Sequence, residues 1–255
     1  VRVEVWDRAE IRVRMEDPEA RHRLGISDAP GSVLEIQVQP DGPAAPGRGD
    51  ADTVFVTIPR HSPLSVRTYR GAVSIAGGDG DIEADAYFET IEYRGAARRV
   101  TAKGFRGDIA IDAPDARLVV VESGGGDARV ETAGGDVRVE TVRGDIDVRA
   151  RDPLERVDLR SNAGSVALSA SLTADATVML DSHHGSLDLG LDPATGARFR
   201  LETWLGAIEN DLGPSASAPR HGRARANRVE FNLGPGGALV TASTYRGDIR
   251  LHGRR

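Results

Sequence analysis

TAGGDVRVETVRGDIDV, residues 132–148, holds the same phrase twice. Thr is followed by two variable residues, a glycine, one variable residue, and then Val or Ile at alternate positions. Alternation over a short run marks a strand with one buried face, and the glycine marks a bend before it. The phrase recurs as TYRGAVSI (68–75), SNAGSVAL (161–168), SHHGSLDL (182–189), TWLGAIEN (203–210) and TYRGDIRL (244–251). FRGDIAI (105–111) and GGDARV (125–130) are partial copies.

The bend glycines are Gly71, Gly107, Gly126, Gly144, Gly164, Gly185, Gly206 and Gly247. From 107 to 206 their gaps are 19, 18, 20, 21 and 21 residues, and the gaps 71–107 and 206–247 are about twice that. Gly135 splits one interval into nine and nine. A fixed period of this size belongs to solenoids, because one unit cannot bury its own apolar face and stacked units can. Within each unit the branched residues after the glycine face inward and the Asp, Arg or Ser between them face out. The Thr or Ser before the bend is placed to hydrogen-bond nearby backbone.

Composition fits thin layers. The 255 residues include 30 glycines, 39 % are hydrophobic and only 4 % are aromatic, so the core is built from Val, Ile, Leu and Ala. No segment carries a helical period of useful length, and the chain reads as all-β. The formal charge of −6 comes from 39 acidic and 33 basic residues with interspersed signs, which offers no basic surface for nucleic acid. The absence of cysteine excludes disulfides, thiolate metal sites and a cysteine nucleophile. No run approaches the roughly 18 apolar residues of a spanning helix. The sequence opens on Val1 rather than Met, which leaves room for a signal peptide or membrane anchor ahead of it and does not decide between them.

Alternating runs at Val1–Val5, Ile11–Val13, Leu34–Val38 and Val54–Ile58 make residues 1–60 an N-terminal strand region, expected to cap the solenoid and continue into it. Repeats fill 61–255. Pro40–Asp52 is a loop by composition. Residues 112–121 (DAPDARLVVV) carry a longer apolar run, consistent with a more fully buried strand. Residues 211–228 break the repeat with Pro, Ser, Ala and four arginines, and read as a loop thrown out of the penultimate coil.

Several constellations invite a site. Tyr69, Phe105, His183, Trp204 and Tyr245 all stand two places before a bend glycine. If the preceding Thr faces in, these rings face out and line up as a strip able to bind a sugar or an apolar surface; the plainer reading is that each ring covers its neighbour's edge. Asp127, Asp136 and Asp145 repeat at nine-residue spacing and come together if their units stack, but one carboxylate per unit is thin provision for calcium, which takes six to eight oxygens. Asp108, Asp127, Asp136, Asp145 and Asp248 each follow a bend glycine, so the repeat itself accounts for them without catalysis. Arg-Gly-Asp occurs at 48–50, 106–108, 143–145 and 246–248, and three of the four lie on the bend that needs glycine anyway. His183 and His184 are adjacent and on a strand point to opposite faces, and His22, His61, His221 and His252 are scattered. GGDGD (77–81) has no helix after it and is no phosphate cradle. No catalytic motif and no cofactor fingerprint is present.

The ordered copies TYRGAVSI, TVRGDIDV and SNAGSVAL, entered through FVTIPRHSPLSVRTYRG (55–71), resemble a bacterial family of adhesin-like proteins with β-strand repeats and a domain of unknown function. The opening VRVEVWDRAEIRV (1–13) resembles the usual start of that family. The resemblance implies a right-handed parallel β-solenoid of short coils, roughly 18–21 residues each, in a bacterial and often envelope-associated setting. It carries no catalytic or binding residues. The expectation is a non-catalytic structural or interaction module in the periplasm or at the cell surface, with no cofactor and with a protein or glycan as partner. Alternatives are a polysaccharide-binding or polysaccharide-cleaving solenoid, and a scaffold that self-associates through its end coils.

Overall fold

The computed structural model describes residues 1–8, 10–16, 22–27, 35–40, 53–69, 71–214 and 226–254. Most of Pro40–Asp52, the Arg-Gly-Asp at 48–50, Leu34, residues 215–225 and His221 lie outside the described residues. The chain forms β1 (Arg2–Trp6), β2 (Arg12–Glu16), β3 (His22–Ser27), β4 (Glu35–Pro40), β5 (Thr53–Pro59) and β6 (Leu64–Thr68). Then come β7 (Val73–Ala76), β8 (Ile82–Ala86), β9 (Ile91–Arg94), β10 (Arg99–Gly104), β11 (Ile109–Ala113) and β12 (Leu118–Ser123). The middle holds β13 (Ala128–Thr132), β14 (Gly135–Arg143), β15 (Ile146–Ala150), β16 (Leu154–Ala163), β17 (Val166–Ala170) and β18 (Leu172–His184). The last are β19 (Leu187–Leu191), β20 (Ala197–Thr203), β21 (Ile208–Asn210), β22 (Asn227–Leu233), β23 (Ala238–Arg246) and β24 (Ile249–Gly253). There is no helix among the described residues.

From β6 to β22 even and odd strands alternate between two sheets, and β23 and β24 then add one more strand to each. A 12-stranded sheet runs β2-β5-β1-β7-β9-β11-β13-β15-β17-β19-β24-β21, and a 10-stranded sheet runs β22-β20-β23-β18-β16-β14-β12-β10-β8-β6. Nearly all pairs are parallel, so each turn of chain lays one strand on each sheet: a β-solenoid. Registers give the coil length directly. Val119 pairs with Val137, Val137 with Val157 and Val157 with Val178, offsets of 18, 20 and 21 residues.

The core lies between the sheets and is made by alternation. In β14 the inward Val137 and Val139 are buried while Arg138 and Glu140 are exposed. Val130, Val148, Leu168 and Leu189 repeat the inward role on the other sheet. Each fully buried branched side chain contributes about 1.5–3 kcal/mol, and no large aromatic layer is needed. The run 112–121 proves to be two pieces of ordinary coil. Asp112 and Ala113 end β11, a turn follows, and β12 buries Val119 and Val121 while Leu118 and Val120 stay half-buried.

The two corners of the coil differ. The corner entering the 12-stranded sheet always spans five residues between inward positions, as from Thr141 to Ile146 and from Thr244 to Ile249. The opposite corner takes seven residues from Ile75 to Ile82, eight from Ile111 to Val119, nine from Val148 to Val157 and ten from Leu168 to Val178. All variation in coil length is therefore placed there. Gly135 belongs to that wide corner, and so does GGDGD at 77–81. The doubled gap between Gly71 and Gly107 hides a full coil, in which Glu89 takes the glycine's place before β9.

Both ends are tucked. β1 lies between β5 and β7, pairing Arg2 with both Phe55 and Ser74, and antiparallel β2 forms the edge beyond. At the other end β23 and β24 insert between the β18–β19 coil and the β20–β21 coil. Leu187 thus pairs with Ile249 rather than with Ile208. Antiparallel β22 closes the 10-stranded sheet against β20. It begins at Asn227, so the segment 211–228 ends inside a strand rather than a loop.

Candidate functional site

The five-residue corner is the most regular feature of the molecule and carries its exposed rings. Three devices hold it, each recurring at several levels. The first is contact between the glycines of neighbouring coils. A Cβ on Gly144, whose φ is +135°, would fall inside the Gly126 carbonyl, and one on Gly164 inside the Gly144 carbonyl. Nothing larger than glycine fits there without moving the backbone.

The second is a column of buried hydroxyls. Ser182 Oγ donates to Gly164 O at 3.0 Å, Thr203 Oγ1 to Gly247 O at 2.8 Å and Thr244 Oγ1 to Gly185 O at 2.9 Å. The third is a ladder of side-chain acceptors one place past the glycine. Asp108 Oδ1 accepts the Asp127 amide and Asp127 Oδ1 the Asp145 amide, each at 2.9 Å. Asp145 Oδ1 accepts the Ser165 amide at 2.7 Å, and Asp248 Oδ1 the Ala207 amide at 2.8 Å. These carboxylates are spent on the next coil's backbone. Asp127 and Asp145 stand on adjacent levels of this corner, whereas Asp136 lies on β14 in the opposite sheet and pairs with Arg156 at 3.3 Å. The three therefore do not converge, because the nine-residue spacing is half a coil.

With the hydroxyl residue turned in, the next residue turns out. Up the solenoid that outward column reads Tyr69, Tyr87, Phe105, Gly124, Val142, Asn162, His183, Tyr245 and Trp204. It forms two aromatic groups rather than one strip. In the first, Tyr87 stacks on Tyr69 at 5.0 Å and on Phe105 at 4.7 Å, and Phe88 meets Tyr87 edge-on at 4.7 Å. In the second, Tyr245 stacks on His183 at 5.1 Å and faces Trp204 at 6.4 Å. Tyr69 is 64 % exposed, Phe105 48 % and Trp204 48 %. Tyr87 was missed in the sequence because its coil has Glu89 instead of the marker glycine; only the outward ring pair YF ahead of Thr90 and Ile91 signals it.

His183 and His184 do not point to opposite faces. Both are exposed, their ring centroids are 4.3 Å apart, and Nδ1 of one lies 2.6 Å from Nδ1 of the other. Strand alternation stops at Ser182, where the chain turns into the bend, so both rings lie outside the corner. They supply two nitrogen ligands; no group of three or more His, Cys, Asp or Glu side chains converges among the described residues. His61 pairs with Asp79 and His252 with Asp188, while His22 lies on β3. The Arg-Gly-Asp triplets at 106–108, 143–145 and 246–248 all fall on this corner, their aspartates engaged as described.

Depressions elsewhere hold other chemistry. One of about 370 Å³ on the outer face of the 12-stranded sheet is lined by Asp127, Arg129, Asp145, Asp147, Arg149 and Asp188, among others. Asp147 pairs with Arg149 at 3.0 Å, Asp188 with His252 at 3.2 Å, and the other two acids accept amides. Another of about 480 Å³ at the wide corner is lined by Pro153, Leu172, Asp192, Gly196 and Gly236, among others. Asp192 is occupied there in capping the Ala194 amide at 2.9 Å.

A two-sheet β-solenoid with a glycine corner and outward rings is a repeat protein whose chemistry lies on its surface. Residues 1–197 match the Toastrack DUF4097 family, and the chain belongs to that family. No curated protein and no solved structure matches the chain.

Proposed function

We propose that this chain is a non-catalytic, adhesin-like interaction module of the bacterial cell envelope that holds its partner on the exposed rings of the glycine corner. The observation that carries the reading is the pair of exposed ring groups kept in register by a rigid corner. Aromatic side chains are where interfaces concentrate their binding energy. The engagement of the corner and basin carboxylates supports a non-catalytic role, since an acid tied to a backbone amide or an arginine is poorly placed to move protons. Self-association through the ends is disfavoured by β21, only three residues long, and by the charged Arg228 and Glu230 on edge strand β22.

The test is binding of the purified chain to washed bacterial envelope fragments. The comparison is a variant with Tyr69, Tyr87, Trp204 and Tyr245 all replaced by alanine, checked for an unchanged melting temperature. At least a tenfold loss of binding is expected. Equal binding by the two proteins, or shortened saccharide chains released from the fragments, overturns the reading.

A further inference from the structure

We propose that the break between the two ring groups is a binding notch for a uronic-acid residue of an acidic polysaccharide. This rests on the reading of the glycine corner as the contact surface and names a ligand class for it. The outward column is interrupted at Gly124, and the column beside it at Gly125. Below stand Phe105 and Arg106, and above stand Val142 and Arg143. Phe105 gives one face to Tyr87 and leans its other face over Gly124, where an added Cβ would lie 3.2 Å from Cδ2. Phe105 as a whole remains about half exposed. At Gly125 an added Cβ would have only Phe105 O within 4 Å, at 3.7 Å, so the floor beside the ring is open space.

Neighbouring strands lie about 4.8 Å apart, so Phe105 and Val142, two levels apart, stand about 9.6 Å apart. One ring layer fits between them. The C–H face of a pyranose stacks on an aromatic face as an apolar surface does. The charge is complementary. Neither Arg106 nor Arg143 has a carboxylate partner among the described residues, whereas many other arginines of the coils do. The Arg106 guanidinium lies 5.8 Å from the Phe88 ring centre, one level below, and 6.0 Å from that of Phe105. Ring and guanidinium come from consecutive residues, whose Cα atoms are about 3.8 Å apart. The anion is therefore carried on the ring or directly beside it, as in a uronate. In an extended acidic peptide, neighbouring side chains point to opposite faces, and the carboxylate leaves the ring's side. Arginine is suited to such a carboxylate.

The experiment is calorimetric titration of the whole chain with a hexamer of galacturonic acid, its methyl-esterified form, and a Glu-Tyr-Glu peptide. The proteins are wild type, F105A, R106Q/R143Q, the plug Gly125→Leu and, as a control on the outer face of the 10-stranded sheet, Leu239→Ala. Melting temperatures confirm folding, and Gly125→Leu fills open space beside the ring while leaving the bend glycine Gly126 in place. The expected result is binding of the free acid, weakened at least tenfold by esterification and by each notch variant, and unchanged by Leu239→Ala. Equal binding of acid and ester, or binding unchanged by the plug, overturns the proposal. Peptide binding in place of the hexamer overturns the saccharide and leaves an acidic protein partner. Silence toward all three probes, with envelope binding still lost in the four-ring variant, overturns the notch alone; silence with ring-independent envelope binding overturns both readings.

Discussion

The two corners of each coil solve the same problem in opposite ways. The glycine corner closes backbone against backbone through most of the stack and keeps one length, and its hydroxyls and aspartates bond the neighbouring coil. The wide corner is held by side chains and by local turns, so it varies from coil to coil. Tyr93 is the clearest example. Its phenol is buried, donates to Gly78 O at 3.2 Å and accepts the Ala97 amide at 2.9 Å, closing a turn that carries no repeat signal. Register, not composition, makes a surface. Rings two places before a rigid bend must stack, and the same rings at the wide corner would be scattered by its changes in length.

The largest expected effect comes from forcing the rigid corner to act like the wide one. Gly144→Val puts a branched side chain at φ +135° and into the Gly126 carbonyl, and is expected to cost about 3 kcal/mol or more in urea unfolding. Gly125→Ala, one residue before the bend glycine of its own coil, is expected to stay within about 0.5 kcal/mol. Similar costs at the two positions would dissolve the distinction between a packed glycine and an open one.

A smaller effect tests the wide corner. Burial pushes the Tyr93 phenol from 10.0 up to about 12; the Ala97 amide bond works against this, and the charges of Asp79 and Asp115 add to it. The folded state thus prefers the neutral phenol. Its contribution, about 2–3 kcal/mol, is complete below pH 10 and is lost as pH rises through about 12. Denaturation midpoints measured between pH 9 and 12 are expected to fall for the wild type and to fall less for Tyr93→Phe. Parallel curves would place the alkaline transition elsewhere.

Much of this was legible in the sequence, because the glycine corner writes its constraints locally. The phrase of Thr or Ser, glycine and alternating Val or Ile gave the strands, the inward hydroxyl and the outward rings at 69, 105, 183, 204 and 245. Where a constraint is not local the sequence is silent. Glu89 removes the only marker of its coil, so Tyr87 and Phe88 went unseen. His183 and His184 obey strand alternation on paper, and only the position of the turn after Ser182 puts them together. The nine-residue spacing of Asp127, Asp136 and Asp145 looks like one column and is two, because half a coil crosses to the other sheet.

The order of the last coils is the deepest case. TWLGAIEN and TYRGDIRL carry the same phrase, so nothing local says which lies inside. The second inserts beneath the first because β23 finds β18 on one side and β20 on the other. That insertion sets Tyr245 between His183 and Trp204 and so builds the second ring group.

The chain has no cysteine, so engineered pairs on the outer face of the 12-stranded sheet report this order without interference. Asp188 and Glu209 are each in register with Arg250, on opposite sides of it. A disulfide needs Cα atoms about 4.4–6.8 Å apart, which neighbouring strands provide and strands two places apart do not. Asp188→Cys with Arg250→Cys is expected to cross-link under mild oxidation, and Asp188→Cys with Glu209→Cys is not. Efficient cross-linking of the 188–209 pair and none of 188–250 would put the coils in simple sequence order and contradict the stacking from which the exposed rings are built.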